Sequence, residues 1–504
     1  MNLLESLLTG ASEGGGRPAL VAGDRVLSYA DLAQRAGSLA AHLRRVGLQA
    51  GDRVALIAPN CPDYVVACYG ILGAGAVVVP INARSPAPEI RHVVDDCGVR
   101  AAIVHTAAVA EVRRATAESR TFEHLIAVGG SGGAGLPVLE ELVGNGAELD
   151  PSVADGDDLA QISYTSGTTG KPKGVMLTHA NLIINAQATS EALGLIASDR
   201  MLAVAPLCHI LGCTLVMHGV LRYGAAAVFS PTMDLDAILG TVEEQRCTVS
   251  ALVPTLLIMM LKHSRRYDLR SLRLALTGGA PCPAELLAAT LQELGVLAVE
   301  GYGITEVAGG VSLNPPQGPR KPGSAGPPER CIELAVVDDA DRRLGPGAVG
   351  ELCVKGPTVM RGYYGRPEAT AEAVVDGWYH TGDVGYVDED GYIYLVDRKK
   401  DLVITSGFNV YPREVEDVLY RHAAVAEVGV VGLPDPVKGE IVCACVALRP
   451  GAAATAAELV AYCKERLLPY KAPARVEFLD ALPKSGSGKV LRRELRALLD
   501  APAP

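Results

Sequence analysis

Short apolar runs rich in valine, isoleucine and alanine recur through the first 300 residues, each closed by glycine, proline or a small polar residue and followed by a helical pattern. Residues 53–59 form a buried strand and a helix starts at about Asp63. Residues 76–79 form a second strand, 91–96 are helical and 101–104 form a third strand. The same alternation returns at 201–205, 248–254, 273–277 and 297–306. A chain that alternates in this way must run its strands parallel and cover both sheet faces with helices. Residues 1–50 read as two helical runs around a hairpin, 19–24 with 25–29, and Ser28 is placed to cap the second run. The stretch 64–81 carries no charge over 18 residues. It contains Gly70, Gly73, Gly75 and Pro80, so it reads as a buried helix over 64–72 and a buried strand, with no stable membrane insertion.

From about Pro322 the texture changes. Short strands at 332–338, 350–354 and 391–396 are separated by Gly, Pro and Asp turns and predict a small β-rich subdomain. Five consecutive charges follow at 397–401, a solvated turn or a domain boundary. Beyond them lie helices at 414–421 and 455–466 and strands at 425–431, 441–448 and 475–478, the pattern of a small α+β domain.

The net charge of −11 argues against a nucleic-acid partner. The first residues, Met1-Asn2-Leu3-Leu4-Glu5, have neither a basic nor an apolar leader segment. Twelve cysteines occur with no Cys-x-x-Cys pair, so they read as reduced thiols of a cytoplasmic protein, with no zinc-type cluster. The run 129–133 matches Gly-x-Ser-x-Gly around Ser131, but Ala134-Gly135-Leu136-Pro137 starts no helix, so it reads as a loop.

The most telling loop is Tyr164-Thr165-Ser166-Gly167-Thr168-Thr169-Gly170-Lys171-Pro172-Lys173-Gly174. Backbone N–H groups released by glycine, hydroxyls and ammonium groups together suit a polyphosphate. Two residues separate Gly167 from Gly170, and Pro172 follows Lys171, so the loop is not of the Walker A kind. It resembles the signature loop of the adenylate-forming enzymes, a superfamily that includes acyl-CoA synthetases, adenylation domains of peptide synthetases and beetle luciferases. Further motifs in matching order extend the resemblance over the whole chain.

The resemblance implies an α/β fold with a large N-terminal adenylation domain over 1–397, a hinge at 398–400 and a small mobile C-terminal lid domain over 401–504. It also implies activation of a carboxylic acid by ATP to an acyl-adenylate, with release of pyrophosphate. By this match Thr165, Ser166, Gly167, Thr168, Thr169, Gly170 and Lys171 cover the β- and γ-phosphates. Gly278, Gly279, Ala280 and Pro281 form the adenine-side loop. In Tyr302-Gly303-Ile304-Thr305-Glu306 the tyrosine stacks on adenine, Thr305 meets the α-phosphate and Glu306 holds Mg²⁺, a hard cation that takes oxygen ligands. Asp383 and Arg398 serve the ribose, Lys400 is the hinge residue, and Lys489 reaches the carboxylate and the α-phosphate.

Ser406, Gly407 and Phe408 resemble the segment that lines the pantetheine tunnel, which implies coenzyme A as co-substrate, formation of its thioester and release of AMP. His209, in Pro-Leu-Cys-His, takes the position near the carboxylate or tunnel mouth, and Cys208 stands where the family commonly has phenylalanine. With Gly212, Cys213, Gly278, Gly303, Val307, Ala308 and Gly309 it suggests a small apolar pocket for a fatty or aromatic monocarboxylate. Transfer to a carrier-protein thiol, an amine or another small nucleophile is the alternative. A luciferase-like monooxygenase would share the nucleotide motifs, and a non-catalytic relative is disfavoured by Lys489, Glu306 and Lys400. The partners expected are a small carboxylic acid, ATP and coenzyme A or a carrier protein, with a homodimer left open.

Overall fold

The computed structural model describes residues 1–12, 14–130, 135–144, 146–165, 172–279, 282–484 and 490–500. Residues 166–171, Ala280, Pro281 and Lys489 lie outside them, as does Ser131 of the Gly-x-Ser-x-Gly match. The chain divides into two compact units, Met1–Leu334 with Val354–Tyr379, and Ala335–Cys353 with His380–Pro504.

The first unit holds two sheets. One orders its eight strands Gly309–Leu313, Leu297–Ile304, Leu274–Thr277, Val249–Leu252, Arg200–Leu202, Ala226–Val228, Pro18–Ala22 and Arg25–Ser28. The six inner strands are parallel and both edges are antiparallel. The other orders seven strands Gly362–Tyr363, Lys173–Thr178, Leu159–Thr165, Val77–Pro80, Arg53–Ile57, Ala101–His105 and His124–Val128. Its last five are mutually parallel, and the first two join antiparallel. The alternation thus sets the parallel cores. Most antiparallel pairings depart from it because a short hairpin can join only antiparallel strands, whereas Gly362–Tyr363 reaches its edge from far along the chain.

The uncharged stretch resolves into the helix Pro62–Gly73, buried along its whole length, and the strand Val77–Pro80. Gly70 lets this helix press on its neighbour: a Cβ there would come within 2.5 Å of Leu39 Cδ2, on the helix Tyr29–Arg45. Ser28 caps that neighbour in a capping box with Asp31. Among the described residues no helix is long and apolar enough to cross a membrane.

Three boundaries differ from expectation. The strand at 248–254 stops at Leu252, and Pro254 opens the helix Pro254–His263, where its missing N–H costs nothing. The strand at 201–205 is only Arg200–Leu202, because Asn60 Nδ2 donates to the carbonyls of Ala203 and Ala205 in place of a sheet neighbour. A π-helical segment, Gly212–Gly219, follows His209 and gave no sequence signal.

In the second unit Ile393–Arg398 pairs antiparallel with Trp378–Val387, setting Asp383 opposite Arg398. A further sheet orders Phe408–Val410, Val403–Thr405, Gly439–Leu448 and Val425–Asp435, with Arg475–Phe478 also paired to Gly439–Leu448. Side chains alternate across it. Val430, Val442 and Ala444 pack with the helices Pro412–Tyr420 and Ala456–Lys464. Val431, Cys443 and Cys445 pack with Leu495 of the helix Arg492–Asp500, so these two cysteines are core residues. The charge run at 397–401 is no plain solvated turn, since Asp397 is buried and both Asp397 and Asp401 bind Arg492.

Candidate active site

The strands Leu159–Thr165 and Lys173–Thr178 pair antiparallel, with Thr165 opposite Lys173. The glycine-rich loop is therefore the connection of a hairpin. One helix, Ala87–Cys97, holds both its feet. On the entry side, Tyr164 Oη donates to Asp96 Oδ2 at 2.8 Å, and Arg366 Nη2 donates to Asp96 Oδ1 at 2.6 Å. On the exit side, His92 Nε2 lies 2.9 Å from the carbonyl of Pro172. His92 and Asp96 stand four residues apart and so share one helix face. Burial pushes the Tyr164 hydroxyl above its ordinary range, which keeps it a donor to Asp96.

The second motif lies where Leu297–Ile304 ends in the turn Thr305–Val307. Gly303 is needed for the fold there: a Cβ would come within 2.5 Å of the Gly309 carbonyl across the hairpin. Ala308 completes the turn in the left-handed region, φ 58°. Tyr302 is buried, and Thr305 and Glu306 are half-buried. Tyr363 Oη donates to Glu306 Oε1 at 3.1 Å, and the Met360 N–H donates to the Glu306 carbonyl at 2.8 Å. Tyr363 pairs with Val175 on the strand that leaves the glycine loop. Lys173 Nζ lies 4.9 Å from the Tyr363 ring centroid. Burial first and Glu306 second raise the Tyr363 hydroxyl, so it remains protonated. The carboxylate and the exit of the loop thus meet on one phenol.

Among the described residues, no group of three or more His, Cys, Asp or Glu side chains could hold a metal ion. One half-buried carboxylate, Glu306, fits Mg²⁺ in the way that cation is commonly bound, with phosphate and water supplying the other oxygens.

Gly278 and Gly279 follow the strand Leu274–Thr277. Gly278 is buried, with its Cβ position 2.8 Å from the Gly301 carbonyl, and Gly279 is exposed at φ 76°. His209 is exposed at the start of the helical turn leading to Gly212–Gly219. Asn60 fixes that approach by accepting from the Leu207 N–H at 2.8 Å. Thr214 Oγ1 donates to the Ala308 carbonyl at 2.8 Å, and Asn185 Nδ2 donates to the Gly310 carbonyl at 2.7 Å. The small residues Cys213, Ala308 and Gly309 therefore sit along packed, hydrogen-bonded segments.

In the second unit, Arg398 Nε donates to Asp383 Oδ1 at 3.1 Å. Next to it, Lys399 Nζ pairs with the buried Glu351 at 3.1 Å, and Lys400 is exposed in a turn. Ser406 and Gly407 turn the hairpin between Val403–Thr405 and Phe408–Val410, with φ 51° and 81°. Phe408 is 53% exposed, yet its ring stacks on Tyr470 at 4.6 Å. Lys484 and Val490 bridge antiparallel on either side of 485–489. Arg492 then enters an ion cluster with Asp397, Asp401 and Glu416. Burial works against its charge, but Glu416, Asp397 and Asp401 outweigh that and hold the guanidinium protonated.

Sequence reasoning did not single out His92, Asp96, Tyr363, Tyr470 or Arg492. Only Arg492, three residues past the lysine motif, carried a positional hint. The others lie 57 or more positions from the motif residues they touch.

Two family models match the chain: AMP-binding enzyme over residues 9–364, and AMP-binding enzyme C-terminal domain over residues 414–489. The chain is 40% identical to a feruloyl-CoA synthase of Amycolatopsis sp over 477 residues, 94% of each chain. It is 36% identical to a long-chain-fatty-acid–CoA ligase of Bacillus subtilis (strain 168), covering 93% of this chain and 89% of that one. A crystal structure of the anthranilate CoA ligase AuaEII in complex with anthranoyl-AMP superposes with a TM-score of 0.92 at 29% identity, covering 99% of this chain and 97% of that one.

Proposed function

The chain belongs to the AMP-binding enzyme family, and from that premise we propose how its residues carry an AMP-forming acid–thiol ligation on a fatty or aromatic monocarboxylic acid. The acid attacks the α-phosphorus of ATP and pyrophosphate leaves; the thiol of coenzyme A then attacks the acyl carbonyl of the adenylate, forming the thioester and releasing AMP. The observation that carries the reading is the meeting of Glu306 and the exit of the glycine loop on Tyr363.

Two anions must approach and charge must build on the leaving pyrophosphate, so fixed donors and cations are required. Thr165 and residues 166–171 supply hydroxyls, N–H groups and an ammonium to the β- and γ-phosphates. Thr305 contacts the α-phosphate, and Glu306 is the protein ligand of Mg²⁺, which when bound neutralises phosphate charge. Tyr302 and the 278–281 loop take the adenine. Asp383, oriented by Arg398, accepts from the ribose hydroxyls. Lys489 reaches the reacting carboxylate during adenylation, and rotation about Lys400 then exchanges it for the Ser406–Gly407–Phe408 turn. His209, Cys213, Ala308 and Gly309 line the acid. Their small, mostly apolar character and the aromatic and fatty acids named for the relatives support a monocarboxylate with an apolar body.

The test is to incubate the protein with Mg-ATP and a panel of aromatic and fatty acids, with and without coenzyme A, and to follow pyrophosphate and AMP. Pyrophosphate released only with such acids, and AMP turnover dependent on coenzyme A, are expected. No pyrophosphate with any acid would refute the adenylation reading, and turnover indifferent to coenzyme A would move the acceptor to another nucleophile. Lys489→Ala is expected to suppress adenylate formation far more than thioester formation from supplied acyl-adenylate. Equal loss in both would remove its assigned role.

A further inference from the structure

A polar cleft lies in the first unit, built from four segments that the motifs above do not use. It measures about 330 Å³, and its lining includes Thr9, Arg17, Gln187, Glu191, Arg222 and Tyr223. The Nε–H groups of Arg17 and Arg222 are both buried and have no hydrogen-bond partner among the described residues. Folding normally satisfies such donors, and a guanidinium makes its strongest bonds to oxyanions.

Several local acceptors are already engaged. Tyr29 Oη donates to the carbonyls of Leu221 at 3.1 Å and Ala225 at 2.7 Å. Glu191 accepts from Gln187 Nε2 at 2.9 Å and pairs with Arg330. Tyr223 also bonds Glu191, and these partners together hold its carboxyl below its ordinary value against the opposing effect of burial. With Glu191 matched by Arg330, the cleft keeps the charge of two arginines. Gly224 makes room for one of them: at φ 69° a Cβ there would come within 2.8 Å of Arg17 Nη2.

We propose that this cleft binds a phosphate-class oxyanion, clamped by the guanidinium groups of Arg17 and Arg222. Two forked cations around a polar cavity of this size match the several oxygens of such an anion better than a single carboxylate.

The experiment is calorimetric titration of the full-length protein, saturated with Mg²⁺ and a non-hydrolysable ATP analogue so that the catalytic phosphate positions are filled. Orthophosphate is the first probe and pyrophosphate the second, and the tighter one identifies the anion the cleft selects. One equivalent is expected to bind wild type, and Arg17→Gln with Arg222→Gln is expected to weaken it about tenfold or more, with adenylation unchanged. No binding of either anion to wild type overturns the proposal, as does unchanged affinity in the double variant. If the double variant fails to fold, selenate soaked into wild-type crystals decides by its anomalous signal: a peak between Arg17 and Arg222 supports the proposal, and an empty cleft refutes it.

Discussion

Arg492 sets one guanidinium nitrogen between Asp397 and Asp401, at 3.1 and 2.8 Å. These acids flank Lys400, the proposed hinge. Glu416 takes the other terminal nitrogen at 2.9 Å. Removing the arginine would leave three carboxylates to repel one another, so Arg492→Met is expected to cost about 3–5 kcal/mol of unfolding free energy. Urea denaturation checks this. Arg492→Lys should recover only part, because an ammonium cannot serve three acids through a planar fork. An unshifted midpoint in the methionine variant would show the cluster to be energetically idle.

The Tyr363–Glu306 bond gives a graded pair of variants. Tyr363→Phe removes one hydrogen bond to the carboxylate and is expected to slow adenylation about tenfold. Glu306→Gln removes the charge and is expected to slow it about a hundredfold or more, with a higher Mg²⁺ requirement. Pyrophosphate release over a range of Mg²⁺ concentrations measures both. A phenylalanine variant as impaired as the glutamine one would mean that Tyr363 does more than orient Glu306.

Glu329 provides a pH dependence. It is 5% exposed and bonded to Thr189 Oγ1 at 2.8 Å. Burial raises its carboxyl from 4.5 to about 7, with the Thr189 bond pulling the other way. Between those values the native state keeps a proton that the unfolded chain has released. Stability therefore falls as pH rises through this window and stays reduced above it, by about 3 kcal/mol in all. Glu329→Gln should flatten this slope and leave the variant more stable than wild type above neutrality. Melting temperatures across the window test it, and parallel wild-type and variant curves would contradict it.

A Phe408 variant tests the two proposed half-reactions separately. Its ring is exposed but braced by Tyr470, so Phe408→Ala should lower coenzyme A-dependent AMP release about tenfold and leave pyrophosphate release in single turnover unchanged. Equal loss in both steps would place Phe408 outside the thiol-handling segment.

Much of this was legible in the chain. Val54, Val78 and Ile103 mark parallel strands because strands buried on both faces need continuous apolar runs. Gly303 was expected only as a pocket-lining and nucleotide-motif residue, and the Gly309 carbonyl gives a further reason for a residue without a Cβ there. The supports were not legible. His92 and Asp96 look like any polar pair on a helix until the hairpin lands beside them. Asp397 and Asp401 look solvated until Arg492, 91 residues past Asp401, returns to meet them. Nothing local encodes such long-range pairings. The π-helical segment Gly212–Gly219 likewise depends on what packs on Thr214 and His218, not on propensity.

The strand Leu297–Ile304 changes partner midway. Its first half lies parallel to Leu274–Thr277, and from Gly301 it pairs antiparallel with Gly309–Leu313. Tyr302, Thr305 and Glu306 therefore ride on a two-stranded ribbon projecting from the sheet. Beyond its turn a Cβ at Gly309 would meet Asn185 and one at Gly310 would meet Glu329, so the ribbon is fixed at its far end as well as at its parallel root, and its turn is carried as one stiff unit.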